Sequence, residues 1–151
     1  MIATYECFAL SVEAGIAHLQ LNRPDKANSL TRAFWSELPA AVDELSRSGQ
    51  VRAMVISAQG KVFCGGLDMQ MFSSAKEFHA ASAQEREMLQ LNLERMQDAL
   101  NALEKARFPV IAAVQGTCVG AGFDLIAACD FCFASDGAKF RIEETNVGMM
   151  A

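Results

Sequence analysis

The amino-acid sequence predicts an α/β domain with a largely parallel sheet, because short strand-like runs alternate with helical patterns along the chain. The chain has 151 residues, 52% of them hydrophobic and 21% charged, which is enough for one domain with a packed core. Two glycine-bearing turns each follow a strand-like run. Because small residues at such turns expose backbone N–H groups, we expect the functional site there.

The distribution of charge excludes several classes of protein. Thirteen Lys and Arg residues oppose 18 Asp and Glu residues, for a formal charge of −5, and no basic run interrupts the sequence. Nucleic acids and anionic membrane surfaces attract positive patches, so we expect neither as a partner. No run reaches the roughly 18 apolar residues that span a bilayer, and the first residues lack the pattern of a signal peptide. We therefore expect a soluble intracellular protein, cytoplasmic if its source is bacterial.

The cysteines are expected to be reduced thiols of the core, because their number is odd and most lie in apolar runs. Cys129 and Cys132 form a C-x-x-C, but they lie in a strand-like run without a second pair to complete a metal site. Neither His18 nor His79 has a cysteine or an acid at ligand spacing, so we predict no metal site. The other cysteines are Cys7, Cys64 and Cys118.

The first third of the chain is predicted to form a hairpin and a helix. The runs at residues 5–10 and 15–21 flank Glu13-Ala14-Gly15, which indicates a β-hairpin. An amphipathic helix should follow, with Thr31 as its cap and Gly49 near its end. Pro39 inside it should kink the helix or leave one backbone hydrogen bond unmade. Its apolar positions recur every three or four residues, at Leu30, Phe34, Leu38, Ala41 and Leu45.

The middle of the chain predicts a strand, a loop and a second helix. A buried strand at residues 51–57 should run into a loop at residues 59–66. Phe108-Pro109 ends the helix that follows. Because two and a half heptads are too few for a coiled coil, we interpret the apolar stripe of this helix as a face packed on the core. The stripe consists of Leu89, Leu93, Met96, Leu100 and Leu103.

The remainder of the chain completes the alternating pattern. Val110–Val114 is strand-like, and a glycine-bearing turn at residues 116–122 enters a short helix at residues 124–129. Two further strand-like runs follow at residues 131–134 and 139–142. No repeat, linker or low-complexity segment divides the chain, so we expect a single α/β domain.

The two glycine turns are Phe63-Cys64-Gly65-Gly66-Leu67-Asp68 and the segment from Gly116 to Asp124. Each can present backbone amides to a negatively charged oxygen. Neither matches G-x-G-x-x-G or a Walker loop with its lysine. Considered singly, each turn is as consistent with an ordinary connector as with a binding site.

Several motifs in the chain occur in a fixed order and together span essentially its whole length. They are Leu21-Asn22-Arg23-Pro24 with Asn28-Ser29-Leu30, the turn at residues 63–68, Pro109-Val110-Ile111-Ala112-Ala113-Val114-Gln115-Gly116, Gly120-Ala121-Gly122 and Ala128-Cys129-Asp130. In this order and spacing the chain closely resembles the enoyl-CoA hydratase/isomerase, or crotonase, family. The resemblance implies a ClpP/crotonase-type fold of repeated ββα units that binds an acyl-CoA thioester in an extended cleft.

The resemblance also implies an oxyanion hole formed by the backbone N–H groups of Gly65 and Ala121. Removing a proton near a thioester builds negative charge on its oxygen, and losing one of two fixed donors costs about 3 kcal/mol. The implied substrate-binding residues are Gly65, Gly66, Leu67, Asp68, Met69 and Ala121. Asp68 is further expected to shape its loop as a capping residue, and Lys26 to meet a phosphate of CoA.

Two carboxylates fall on the catalytic positions of the family, Asp124 and Glu144, and Glu143 competes for the second position if the register slips by one. A hydratase of this family typically has Glu at both. The Asp here, and the ending at residues 144–151, resemble the Δ3,5-Δ2,4-dienoyl-CoA isomerase branch. The resemblance implies proton transfer that shifts the double bonds of 3,5-dienoyl-CoA in fatty acid β-oxidation, with no cofactor besides the CoA of the substrate. In a eukaryote it implies a mitochondrial or peroxisomal enzyme.

The branch has a further Asp that alignment places immediately after Ala151, followed by C-terminal helices that complete the cleft and build homotrimers or hexamers. We therefore expect residues 1–151 to be the N-terminal core of an incomplete domain, either a fragment or one part of a split chain. Two alternatives remain open at this point. One is an enoyl-CoA hydratase, with Asp124 and Glu144 holding the water, and the other is a partial domain without catalysis.

Overall fold

The computed structural model describes residues 2–73 and 82–144, which form strands and helices in alternation. The strands are β1 (Ile2–Thr4), β2 (Phe8–Glu13), β3 (Ile16–Leu21), β4 (Ala53–Ala58), β5 (Val62–Cys64), β6 (Val110–Val114), β7 (Thr117–Val119), β8 (Phe131–Ala134) and β9 (Lys139–Arg141). The helices are α1 (Phe34–Ser48), α2 (Met69–Ser73), α3 (Ala83–Glu104) and α4 (Ala121–Ala127), and a 3-10 turn lies at Pro24–Lys26. No helix in these ranges is both long and apolar enough to cross a lipid bilayer.

Two sheets organise the fold. The larger has the strand order β1-β2-β3-β4-β6-β8, in which β1 to β3 are antiparallel and the later pairs are parallel. The smaller is the parallel sheet β5-β7-β9. Successive strands from β4 onward therefore alternate between the sheets, and helices follow β5 and β7. This confirms the predicted α/β class and the repeated ββα units.

The predicted hairpin and first helix are confirmed. Ala14 and Gly15 connect β2 to β3 with φ of 50° and 80°, the backbone of a type I′ turn that matches strand twist. Helix α1 contains Pro39 and ends at Gly49, whose φ is 65°. The prediction that Thr31 caps α1 is wrong. The N-cap residue is Ala33, without a side-chain cap, and Thr31 Oγ1 lies 3.3 Å from Cys7 Sγ.

The core lies between one face of the larger sheet and the apolar face of α1. Every second residue of β3 is buried, and alternation of this kind directs Leu19 and Leu21 to the core. Phe34 of α1 is fully buried and meets Phe8 of β2 edge to face, with ring centroids 6.1 Å apart. Cys7 belongs to this cluster, and Cys64 and Cys118 are also buried, as predicted for core thiols. Cys129 is only half-buried and Cys132 is exposed, so the prediction of a core position is wrong for Cys132.

Helix α3 departs from its prediction. Ser82 and Glu85 form a capping box at its start, but only Ala99 and Leu103 are buried in it. Leu93 is 44% exposed, so the prediction of a core-facing stripe is wrong for the first part of the helix. A 22-residue helix is about 33 Å long. Within the described part of the chain, only its C-terminal end packs against other elements closely enough to bury side chains.

The sequence did not predict three of the strands, β1, β5 and β7, or the correct start of one helix. Residues 62–64 and 117–119, expected as loop and turn, are β5 and β7 of the smaller sheet. Helix α4 begins at Ala121, three residues before the predicted start. Three-residue strands are too short to show a periodic pattern, and only pairing between distant segments defines them.

Gly116 permits the close crossing between the two sheets. Its φ is 64°, and because it has no side chain, the backbone of Lys61 can lie directly against it. A Cβ at this position would lie far inside the van der Waals distance of Lys61 O. The glycine is therefore required by both backbone conformation and space.

We expect Gly116→Ala to lower the free energy of unfolding by roughly 2 to 4 kcal/mol, because backbone strain and overpacking add. Gly49→Ala is the matched control, since Gly49 has a similar φ of 65° but nothing within 4 Å of a Cβ. The control should cost about 1 kcal/mol. Urea unfolding measures both variants, and equal losses would contradict the role of the crossing.

Candidate active site

The first glycine turn is held against the segment that follows β3. Gly65 N donates to Ala27 O at 2.7 Å, Leu30 N donates to Gly66 O at 2.8 Å, and Asp68 N donates to Leu30 O at 2.9 Å. A Cβ on Gly65 would lie 3.1 Å from Ala27 O, so this approach depends on glycine. The turn is thus fixed by three backbone hydrogen bonds before any side chain is considered.

Asp68 fastens the same two segments with its carboxylate. Its Oδ2 accepts from Ser29 Oγ at 2.9 Å and from Arg23 at 3.1 Å, and its Oδ1 accepts from Gln70 N at 3.0 Å. The bond from Gln70 N is the largest cause that lowers the pKa of Asp68, and Ser29 and Arg23 add to it. Asp68 is therefore the capping residue predicted from the sequence.

The amides of this turn differ in availability. The N–H of Gly65 is used by Ala27 O, and Gly66 N contacts Cys64 Sγ at 3.4 Å. Backbone groups alternate in direction along an extended segment, so Gly66 O and Asp68 N face Leu30 and the N–H of Leu67 faces away. Among the described residues, Leu67 N has no protein acceptor.

The second glycine turn contacts the first. A Cβ on Gly66 would lie 3.1 Å from Val119 O and 3.8 Å from Ala121 N, so the two backbones touch. Gly122 lies against Cys64, where a Cβ would approach Cys64 Cβ to 2.6 Å. Ala121 N, at the first position of α4, also has no protein acceptor within residues 2–73 and 82–144. The structure therefore places the free amides of Leu67 and Ala121 in neighbouring turns.

The two predicted carboxylates come together at the second turn. Glu144 Oε1 would lie 3.0 Å from a Cβ on Gly120, so its carboxylate rests against the turn that precedes α4. Asp124 lies in the first turn of α4. Desolvation raises the pKa of Asp124, and the Glu144 charge raises it further. Glu143 instead forms an ion pair with Arg141 at 3.0 Å.

The predicted substrate-binding residues lie in two places. A surface cavity of about 410 Å³ is bordered by Gly65, Leu67, Asp68 and Met69, and by Lys26. Gly66 and Ala121 lie at the contact between the two turns. Met69 is 76% exposed at the start of α2. Arg23 and Ser29, which were not predicted as site residues, border the same cavity and bind Asp68.

The described residues contain no group of three or more His, Cys, Asp or Glu side chains placed to hold a metal ion. His18 Nε2 is within 2.7 Å of Ser57 Oγ on the neighbouring strand. Cys129 Sγ donates to Leu125 O. His79, and residues 145–151 of the predicted branch motif, lie outside the described residues.

Comparison with known proteins gives consistent results. The family model described as Enoyl-CoA hydratase/isomerase matches residues 11–151. The peroxisomal Δ3,5-Δ2,4-dienoyl-CoA isomerase of Arabidopsis thaliana is 36% identical, covering 98% of this chain and 54% of its own length. The mitochondrial Δ3,5-Δ2,4-dienoyl-CoA isomerase of Homo sapiens is 38% identical, covering 93% of this chain and 44% of its own length. The chain thus spans about half the length of these relatives.

Solved structures show the same fold. An enoyl-CoA hydratase/isomerase from Marinobacter aquaeolei superposes with a TM-score of 0.86 at 25% identity, over 97% of this chain and 55% of its own. A structure from Thermobifida fusca YX, provisionally described as an enoyl-CoA hydratase and bound to acetoacetyl-CoA, has a TM-score of 0.82 and 29% identity. It covers 95% of this chain and 56% of its own.

We expect Glu144→Gln to lower the pKa of Asp124, because the variant removes a like charge that raises it. Part of the elevation should remain, since desolvation is the larger cause. A ¹³C NMR titration of the Asp124 carboxyl measures the change. Glu143→Gln is the matched control and should alter the pKa of Asp124 less, because Glu143 pairs with Arg141. Equal shifts from both variants would refute the placement of Glu144.

We expect Asp68→Asn to lower the free energy of unfolding by roughly 2 kcal/mol near neutral pH, since charge-assisted hydrogen bonds to a buried carboxylate are lost. The pKa of Asp68 is lowered in the fold, so its contribution is present above the unfolded value and is lost as pH falls through the folded value. The difference between wild type and variant should shrink in acid.

The control for this variant is Asp43→Asn on α1, where Asp43 pairs with Arg47 at 2.8 Å but both side chains are exposed. Such a pair contributes less than about 0.5 kcal/mol. Denaturant unfolding between neutral and acidic pH compares the two. A loss at Asp68 no larger than that at Asp43 would count against its role in holding the turn.

Proposed function

Because the chain belongs to the enoyl-CoA hydratase/isomerase family, we propose that it carries the oxyanion-binding amides and the carboxylates of an enzyme that converts 3,5-dienoyl-CoA to 2,4-dienoyl-CoA. The observation that carries the proposal is the proximity of Asp124 and Glu144 at the turn that also presents the free amide of Ala121. Relatives named as dienoyl-CoA isomerases support this substrate over others of the family.

The reaction moves one proton net along the acyl chain. Going from a 3,5-diene to a 2,4-diene requires loss of a proton from C2, beside the thioester, and gain of a proton at C6. A carboxylate removes the first proton, the electron pair spreads through the diene to the thioester oxygen, and a carboxylic acid returns a proton at C6. The raised pKa of Asp124 favours this proton transfer, because a general acid or base is most effective when its pKa is close to the working pH. No external cofactor takes part in the proposed chemistry.

The negative charge on the thioester oxygen needs two donors. We assign them to the N–H groups of Leu67 and Ala121, which lie in adjoining turns and have no acceptor among the described residues. This replaces the Gly65 amide expected from the sequence, because that N–H donates to Ala27 O at 2.7 Å. Gly65 then serves the site by letting the turn approach Ala27 closely.

The substrate is an acyl-CoA thioester in this proposal. The cavity of about 410 Å³ beside Leu67 would receive part of it, with Lys26 at the border as the partner of a CoA phosphate. The similar structure from Thermobifida fusca YX, which holds acetoacetyl-CoA, supports a thioester ligand for this chain. The mitochondrial and peroxisomal relatives support a role in β-oxidation. Assembly into trimers or hexamers, expected from the sequence if the C-terminal part is present, is part of the proposal.

A hydratase is the second candidate. The peroxisomal protein of Arabidopsis thaliana named probable enoyl-CoA hydratase 1 is 32% identical to this chain, and two adjacent carboxylates can also hold a water molecule. A third outcome is binding without turnover, since the chain covers about half of its relatives.

Incubation of the chain with 3,5-dienoyl-CoA and with crotonyl-CoA, followed by ultraviolet absorbance, separates these functions. We expect isomerisation of the dienoyl substrate and no hydration of crotonyl-CoA. Asp124→Asn and Glu144→Gln should each lower kcat by at least about a hundredfold while thioester affinity changes little. Hydration alone would replace the proposal with the hydratase, and turnover that survives both substitutions would refute the assignment of the carboxylates.

A further inference from the structure

The turn that supports Gly65 has an unusual backbone. Ala27 and Asn28 are consecutive residues with φ of 51° and 52°, in the left-handed region that non-glycine residues rarely adopt. Asn28 is also one of the two buried polar or charged residues among those described, with 2% of its surface exposed. A strained backbone beside a buried amide requires interactions that hold it in place.

The side chain of Asn28 supplies those interactions. Its Oδ1 accepts from Arg23 N at 2.9 Å, which closes the turn on itself. Its Nδ2 donates to Gln59 O and to Val62 O, each at 2.8 Å, which ties the turn to the loop after β4 and to the first residue of β5. All three bonds reach backbone atoms, so the amide fixes main-chain positions rather than other side chains.

The backbone of the same turn holds the first glycine turn. Ala27 O accepts from Gly65 N at 2.7 Å. Asn28 O accepts from Cys64 Sγ at 3.3 Å, and that sulfur in turn accepts from Gly66 N at 3.4 Å. Burial raises the pKa of Cys64 to about 12, so its thiol keeps the proton that it donates. Two short routes therefore connect Asn28 to the residues immediately before Leu67.

We infer that Asn28 is a positioning residue that sets the direction of the Leu67 amide through Ala27 O and Cys64. The inference rests on the proposed function, in which that amide binds the thioester oxygen. Asn28 itself touches no substrate. Its carboxamide holds the left-handed turn, the turn holds Gly65 and Gly66, and those residues leave the N–H of Leu67 facing the ligand.

The test compares the 151-residue chain with its Asn28→Gly variant, because glycine keeps the left-handed backbone accessible and removes only the carboxamide. Hydrogen exchange of the Gly65 amide reports whether the turn is held, and it needs no ligand. The ¹³C shift of the thioester carbonyl in bound [1-¹³C]butyryl-CoA reports polarisation by the amides. Dissociation constants for butyryl-CoA are measured on the same samples.

Gln115→Ala is the matched control. The Gln115 carboxamide also donates twice, to Ala58 O at the end of β4 at 2.8 Å and to Gly60 O in the loop after it at 3.1 Å, but it makes no hydrogen bond to residues 22–29. It therefore reproduces a general loosening of the loop without releasing Asn28. Cys64→Ala is the second variant, which breaks one of the two routes and keeps the Asn28 carboxamide.

We expect Asn28→Gly to speed exchange at Gly65 by about tenfold or more and to remove at least about half of the downfield carbonyl displacement, with affinity changed less than about threefold. Cys64→Ala should give a smaller loss of displacement, and Gln115→Ala should change neither readout. Unchanged exchange at Gly65, or an undiminished displacement in Asn28→Gly, overturns the inference. A wild-type chain whose bound thioester shows no displacement overturns the proposed oxyanion site instead, while the exchange result still reports on Asn28. If Asn28→Gly does not fold, the Cys64→Ala displacement decides.

Discussion

The pairing of the backbone after β3 with the first glycine turn is the constraint on which the site depends. Gly65 N meets Ala27 O, and Leu30 exchanges hydrogen bonds with Gly66 and Asp68. These bonds join segments about 40 residues apart in sequence, and they leave the amide of Leu67 without a partner among the described residues. An unpaired amide beside a cavity is then available to a ligand, whereas paired amides of the same turn are not.

Close approach between backbones is the second requirement. Gly66 lies against Val119 and Ala121, Gly120 lies against the Glu144 carboxylate, and Gly122 lies against Cys64. A Cβ at Gly66 or Gly120 would make these contacts tighter than usual, and a Cβ at Gly122 would clash with Cys64. Glycine here brings two turns, from different sheet-to-helix connections, to within van der Waals distance. The two turns are in contact, and the Glu144 carboxylate lies against the second of them, because no side chain larger than hydrogen separates the backbones.

The sequence-based predictions were correct for features that local interactions determine and wrong for features that depend on contacts between distant segments of the chain. The hairpin at Ala14-Gly15 and the end of α1 at Gly49 were predictable, because local backbone preferences determine them. The strands β5 and β7 were not, because three residues carry no periodicity and pairing with distant segments forms them. The apolar stripe of α3 misled for a related reason: Leu93 has the spacing of a core residue, but burial requires a partner surface that the described chain does not place there.

Within the site, the sequence alone determined the family, the glycine turns, and Asp124 and Glu144 as a pair of carboxylates, because residue types and their spacing are visible along one chain. Only the tertiary structure showed that Glu144 lies against Gly120 whereas Glu143 pairs with Arg141. It also decided which amides are available. Gly65 and Leu67 stand two residues apart in one turn, and their difference arises from where Ala27 O lies in space, a position that follows from folding and not from the order of residues.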